Sequence, residues 1–160
     1  MTTGAKQESN YLLLDNQLCF ALYATSRQVT RLYQPLLEPL GLTYPQYIVL
    51  LILWEDAPCT VSQIGKRAQL ATNTLTPLLK RLELLGFLER QRGEYDERVV
   101  NIVLTAKGKA LRTKCACIPE QLFNRAGYPL QDVIELKKQL DHFLQHLQSV
   151  ADESRQDRLL

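Results

Sequence analysis

The chain has 160 residues, 46% of them apolar and 22% charged, with a formal charge of +2. That length fits one domain, or one domain with an extended dimerisation arm, and a compact fold of this size needs no disulfide or metal to be stable. The longest apolar run, Ile48 to Trp54, is too short to span a bilayer, and the polar start MTTGAKQESN lacks a signal-peptide core, so a soluble cytoplasmic protein with no membrane partner is expected.

In chain order, the first ten residues read as a frayed tail. Asp15 is a good N-cap for a helix running to Leu37, with Leu18, Leu22, Val29, Leu32 and Leu36 at helical spacing; Pro39 and Gly41 end it. Thr43 caps a second helix to Trp54, with Pro45 in its first turn, where a missing N–H matters least. Thr60 caps a short helix, VSQIGKRA, and after a turn over residues 69–72 a further helix spans Asn73 to Leu85, with Gly86 at its C′ position. Phe87 to Arg92 and Val99 to Thr105 are β-rich and flank a charged tip at residues 93–98, which predicts a hairpin. Thr105 caps a long helix towards Phe123, with Pro119 as a kink or break, and a final amphipathic helix spans Leu130 to Val150 before a fraying polar tail. No internal repeat is present.

Two short helices joined by a tight turn describe a helix-turn-helix, and a hairpin directly after it makes a wing. The predicted fold is mainly α with a small β-hairpin wing: a single domain over 1–160, with a winged helix-turn-helix DNA-binding core at about 43–105 and dimerisation helices at about 12–42 and 106–150. Charge agrees with that division. Residues 60–114 carry eleven Lys/Arg against five Asp/Glu, whereas 1–59 carry three against five and 115–160 carry five against seven. A module facing a polyanion has this segregation, so double-stranded DNA is the expected partner. Asn73, Thr74 and Thr76 open the second helix of the motif with short polar side chains able to reach the groove, followed by Lys80 and Arg81. The terminal helices carry more apolar surface than so small a module covers, which points to a homodimer. Its two recognition helices would meet half-sites of a pseudo-palindromic operator roughly 34–36 Å apart.

This order of elements resembles the MarR family of winged-helix transcription regulators. Asp96-x-Arg98 followed by five residues and Leu104-Thr105 matches that family's D-x-R-x5-L-T pattern. The segments LLLDNQLCFALY (Leu12–Tyr23), LYQPLLEPLGLTYPQY (Leu32–Tyr47) and TLTPLLKRLE (Thr74–Glu83) are similar to the organic-hydroperoxide-sensing OhrR branch, over about Leu12 to Phe123. The resemblance implies a repressor that is not an enzyme and takes no cofactor. Asn73, Thr74 and Thr76 are then groove candidates, with Lys80, Arg81, Arg90 and Arg92 on the phosphate backbone. Arg98 would enter the minor groove, oriented by Asp96; the other reading of that pair is a surface salt bridge that shapes the hairpin.

Cys19 lies one helical turn after Asp15, where the helix dipole favours negative charge on sulfur, and Tyr23 follows one turn later on the same face. A Cys on an amphipathic helix is otherwise a small buried hydrophobe. The resemblance implies that Cys19 is the peroxidatic cysteine, that Tyr33 and Tyr44 reach it from a partner subunit, and that Tyr23 lines the pocket. Two-cysteine relatives carry a resolving cysteine just after a stretch that here is Pro119–Phe123, but the next residue is Asn124. Cys117 or Cys115, expected on the same helix, or a small cellular thiol would then complete the cycle. Cys59, in a loop beside Pro58, has no evident role. The alternative function is a MarR-type regulator that binds a small aromatic ligand non-covalently. A thiol peroxidase fits poorly, lacking a thioredoxin-like pattern and C-x-x-C. No metal is expected, because His142 and His146 are two ligands without a carboxylate.

Overall fold

A computed structural model describes residues 10–92 and 100–156, with side chains to residue 151. The chain divides into two compact units, Met1–Ile118 and Pro119–Leu160. The predicted wing tip with Asp96 and Arg98, most of the N-terminal tail and the end of the C-terminal tail lie outside the described residues.

The first unit begins with a 3-10 turn, Leu14–Asn16, and helix α1, Leu18–Leu37. Gln17, rather than the expected Asp15, is the N-cap of α1. The local cause is side-chain competition: Asn16 Nδ2 donates to Asn10 O and Oδ1 at 2.8 Å, and Gln17 Nε2 donates to the Tyr11 and Leu13 carbonyls. These bonds hold Asp15 inside the preceding turn. At the other end a 3-10 turn, Glu38–Leu40, closes on Gly41 in the left-handed region at φ 69°.

Helix α2, Tyr44–Asp56, starts with a reciprocal cap between Thr43 and Gln46 and has Pro45 in its first turn. Its apolar residues run almost all round, as befits a central helix: Val49, Leu50, Ile52 and Leu53 are buried. Thr60 and Gln63 form a second capping box at the start of α3, Val61–Ala68, and Ile64 turns inward. Helix α4 is Thr72–Leu84 and buries Leu75, Leu79 and Leu82 at helical spacing. Its C-terminus is a Schellman motif: Gly86 N–H donates to Glu83 O at 2.8 Å and Phe87 N–H to Leu82 O at 3.0 Å, with Gly86 at φ 73°.

The wing strands β2, Leu88–Arg92, and β3, Val100–Leu104, pair antiparallel with Leu88 opposite Leu104 and Arg92 opposite Val100. A two-residue strand β1, Cys59–Thr60, adds to the other edge of β3, with Cys59 opposite Ile102. Cys59 is therefore a buried strand residue and not the loop residue expected. Its thiol is pushed up by burial and by Asp56, against a smaller opposing effect of Arg67.

Helix α5, Ala106–Cys115, is capped by Thr105, whose Oγ1 accepts from Gly108 N–H at 3.0 Å. Gly108 has a steric reason: a Cβ there would lie 1.9 Å from the Phe87 carbonyl oxygen, so any side chain would drive α5 away from the recognition-helix exit. The expected long helix is broken before Pro119. Cys115 ends α5, Cys117 sits in the break, and α6, Ile118–Ala126, follows. The second unit's long helix α7, Leu130–Gln156, continues past Val150 into the stretch expected to fray. No single described helix is long and apolar enough to cross a membrane.

Candidate redox site and nucleic-acid interface

Cys19 is the second residue of α1 and is exposed. It thus lies inside the first turn rather than at its end, and no side chain caps the leading N–H groups beside it. The chain just before it is apolar and exposed: Leu12, Leu14 and Leu18 are 87%, 58% and 59% exposed. Tyr23 is on the same helix but turns to Arg27, whose Nη1 donates to the phenol oxygen at 3.2 Å while the guanidinium lies 5.5 Å from the ring centroid.

Tyr33 and Tyr44 come together at the junction of α1 and α2, with ring centroids 4.7 Å apart. Tyr47, which the sequence reading missed, completes the cluster: its ring is 5.9 Å from Tyr33 and meets Trp54 edge-on at 6.3 Å. The available signal was helical spacing, since Tyr44, Tyr47 and Trp54 stand at i, i+3 and i+10 on α2. Burial raises the Tyr33 phenol, helped by Tyr44, and burial raises Tyr44 as well. Tyr47 is pushed up to about 12, by burial first and then by Cys115, the other two tyrosines and Cys117. These phenols stay protonated at neutral pH and present O–H donors, which suits them to an anionic sulfur. Among the described residues no hydrogen bond joins them to Cys19 of the same chain. Cys19 and Tyr33 are fourteen residues apart on one helix, a rise of about 21 Å.

The two later cysteines differ. Cys115 is buried, and its thiol is pushed up by burial and then by Cys117. Cys117 is exposed, with its sulfur 3.8 Å from Lys114 O. No cluster of three or more metal-ligating side chains occurs among the described residues.

On the helix-turn-helix, Asn73 and Thr74 lie exposed in the first turn of α4, where the N-cap Ala71 supplies no side-chain acceptor. Thr74 Oγ1 donates to Asn73 Oδ1 at 3.4 Å, so the two side chains share one edge. Thr76 is half-buried and its hydroxyl donates back to Thr72 O at 2.8 Å, leaving only its lone pairs for a groove contact. Lys80, Arg81 and Arg92 are exposed. Arg90 is exposed, and its Nε lies 3.2 Å from a Glu83 carboxylate oxygen, an ion pair that ties β2 to α4.

A second tie fixes the exit of α4. Thr105 Oγ1 donates to Gly86 O at 2.7 Å, and Lys107 Nζ donates to Leu85 O at 2.7 Å while lying 4.9 Å from the Phe87 ring centroid. Trp54 Nε1 donates to Gly108 O at 2.9 Å, so the helix that carries Tyr44 and Tyr47 is bonded to the helix that caps α4.

Residues 31–114 match the family model for the transcriptional regulators SarA/Rot. The organic hydroperoxide resistance transcriptional regulator of Bacillus subtilis is 44% identical over 138 residues, which cover 86% of this chain and 94% of that protein. The chain belongs to the MarR family of winged-helix regulators, in its organic-hydroperoxide-sensing branch. Reduced AbfR bound to DNA, the AbfR protein being from Staphylococcus epidermidis, superposes with a TM-score of 0.69 at 39% identity, over 89% of this chain and 98% of that one. AbfR is also known overoxidised on DNA, with the same values, and in a disulfide form at 35% identity and a TM-score of 0.58 over 92% and 99% of the two chains. Reduced MarR of Escherichia coli matches at 26% identity and a TM-score of 0.69, over 80% and 96%.

Helix α6 carries Asn124, and Cys117, two residues after the buried Cys115, is exposed just before α6.

Proposed function

We propose that this protein is a homodimeric repressor that holds a pseudo-palindromic operator when reduced and releases it when Cys19 is oxidised by an organic hydroperoxide. The observation that carries the reading is the cluster of Tyr33 and Tyr44, two protonated phenols whose ring centroids are 4.7 Å apart, with Tyr33 fourteen residues along the helix from the Cys19 of its own chain. A second copy, running antiparallel along α1, would bring each Cys19 to the tyrosines of its partner.

The Cys19 thiolate attacks the terminal peroxide oxygen. An S–O bond forms, the O–O bond breaks, and the alkoxide takes a proton and leaves as the alcohol. Sulfur loses two electrons to become sulfenic acid and the peroxide gains them. The exposed Leu18 and Phe20, which flank Cys19 in sequence, favour a peroxide with an alkyl or aryl body over hydrogen peroxide. Condensation with a second thiol then forms an S–S bond and releases water. Cys117 of the other subunit is the better internal candidate because it is exposed, whereas Cys115 is buried with its thiol pushed up; a small cellular thiol is the external one.

Oxidation replaces the compact sulfur that the tyrosines contact by a bulkier sulfenic acid or disulfide, which displaces them. Tyr44 and Tyr47 share α2 with Trp54, and the Trp54–Gly108 and Lys107–Leu85 bonds carry a shift of α2 to the recognition helix. Asn73 and Thr74 act in the groove, Lys80, Arg81 and Arg92 on phosphates, and Arg98 with Asp96 at the wing tip. In gel-shift titrations Cys19→Ser should bind the operator as the parent does and stay bound under cumene hydroperoxide. Release by that variant at the parent's dose would sink the proposal.

A further inference from the structure

Three consecutive carbonyls at the exit of α4 are taken by the start of α5. Leu85 O accepts from Lys107 Nζ at 2.7 Å, Gly86 O from Thr105 Oγ1 at 2.7 Å, and Phe87 O from Thr105 N–H at 3.2 Å. The two side chains involved differ in what else they hold. Thr105 is half-buried and also caps its own helix, accepting from Gly108 N–H at 3.0 Å. Lys107 is exposed, and its ammonium is fixed at two points, on the Leu85 carbonyl and 4.9 Å from the Phe87 ring centroid.

Leu85 is the C-cap of α4 and Phe87 leads into β2, so this ammonium stands where the recognition helix ends and the wing begins. A cation there faces the negative end of the helix dipole and occupies a carbonyl without a partner inside the helix. The buried Leu75, Leu79 and Leu82 fix how deeply α4 sits. Apolar burial is non-directional, however, and leaves the tilt of a helix to bonds with a preferred geometry. At its start α4 has no side-chain cap, so the bonds from α5 at its exit carry that task. We infer that Lys107 is a positioning residue for operator recognition: it sets the tilt of α4 and the root of the wing, and so the discrimination of operator from other DNA, without touching DNA itself. The inference rests on the DNA-binding reading and places one determinant of it outside the residues that face the groove or the phosphates.

The test compares two duplexes under reducing conditions: the sequence that the full-length parent selects most strongly from a random pool, and poly(dI-dC). Lys107→Met, which keeps an unbranched stem without the ammonium, should retain the parent's circular dichroism and self-association. It should bind the selected duplex about tenfold or more weakly, yet poly(dI-dC) within about twofold of the parent. The slope of log affinity against log salt should not change. Lys107→Arg, whose guanidinium can also reach a carbonyl and stack on a ring, should return selected-duplex affinity to within about threefold of the parent. Unchanged binding of the selected duplex by Lys107→Met would overturn the inference, as would loss of its fold or failure of Lys107→Arg to restore binding. An equal loss on both duplexes, with the salt slope smaller by about 0.9 for each contact removed, would make Lys107 a phosphate contact instead. A parent that selects no sequence would overturn the DNA-binding reading and this inference together, whereas the other outcomes leave that reading intact.

Discussion

The helix-turn-helix and the terminal helices use apolar residues in opposite ways. Leu75, Leu79 and Leu82 of α4 are at most 1% exposed, sealed against α2, α3 and the sheet of their own chain. Leu18 of α1 is 59% exposed, and Leu136, Leu140 and Leu147 of α7 are 45%, 39% and 48% exposed. On α7 the residues Val133, Leu136, Leu140, Phe143, Leu147 and Val150 alternate spacings of three and four, the pattern of a helix seam that packs on another helix. The DNA-reading module is thus complete within one chain, while the terminal helices are shaped for surfaces that one chain leaves open. The division of labour is the lesson: a reading head sealed within one chain is rigid in itself, whereas exposed apolar seams on the terminal helices leave surface for a further helix to cover.

Three results would test this contrast, beginning with the largest effect. Leu79→Ala should lower stability by about 2–5 kcal/mol, the cost of a cavity in a sealed core, and reduce the denaturation midpoint at any protein concentration. A loss below about 1 kcal/mol would mean that α4 is not sealed in the free chain. Leu140→Ala with Leu147→Ala should instead leave the helicity of the chain near that of the parent while weakening self-association by about tenfold or more in sedimentation experiments. A concentration-independent loss of fold in that variant would place those leucines in an intrachain core.

The smallest effect is an alkaline one at Tyr47. Its folded phenol is raised from 10.0 to about 12. Below the unfolded value both states are protonated and the stabilisation is fully present; above it the unfolded phenol ionises first, so stability falls as pH rises from about 10 through about 12. Tyr47→Phe should flatten that decline in urea melts taken at successive pH values. An identical decline in the variant would assign it to other groups.

Much of the reading head was legible because its signals are local. The boxes at Thr43/Gln46 and Thr60/Gln63, the Thr105 cap and the left-handed Gly86 all work within a few residues of chain, and each appears where its side chains demand. Local reading went astray where two nearby partners competed: Asp15 is a good cap, yet the carboxamide bonds of Asn16 and Gln17 draw it into the preceding turn and shift the start of α1. That shift moves Cys19 closer to the positive end of its helix.

The sequence by itself determined the succession of helices, the wing, the concentration of positive charge over residues 60–114 and, through resemblance, the importance of Cys19. Only the tertiary structure decided that Tyr47 joins Tyr33 and Tyr44, that Cys59 is a strand residue paired beside β3, that Cys115 is sealed while Cys117 is open, and that Glu83 engages Arg90. The reason is range. Caps and periodicity are set by neighbours along the chain, whereas burial, ring contacts and ion pairs depend on which distant faces meet, as Trp54 meets Gly108 fifty-four residues later.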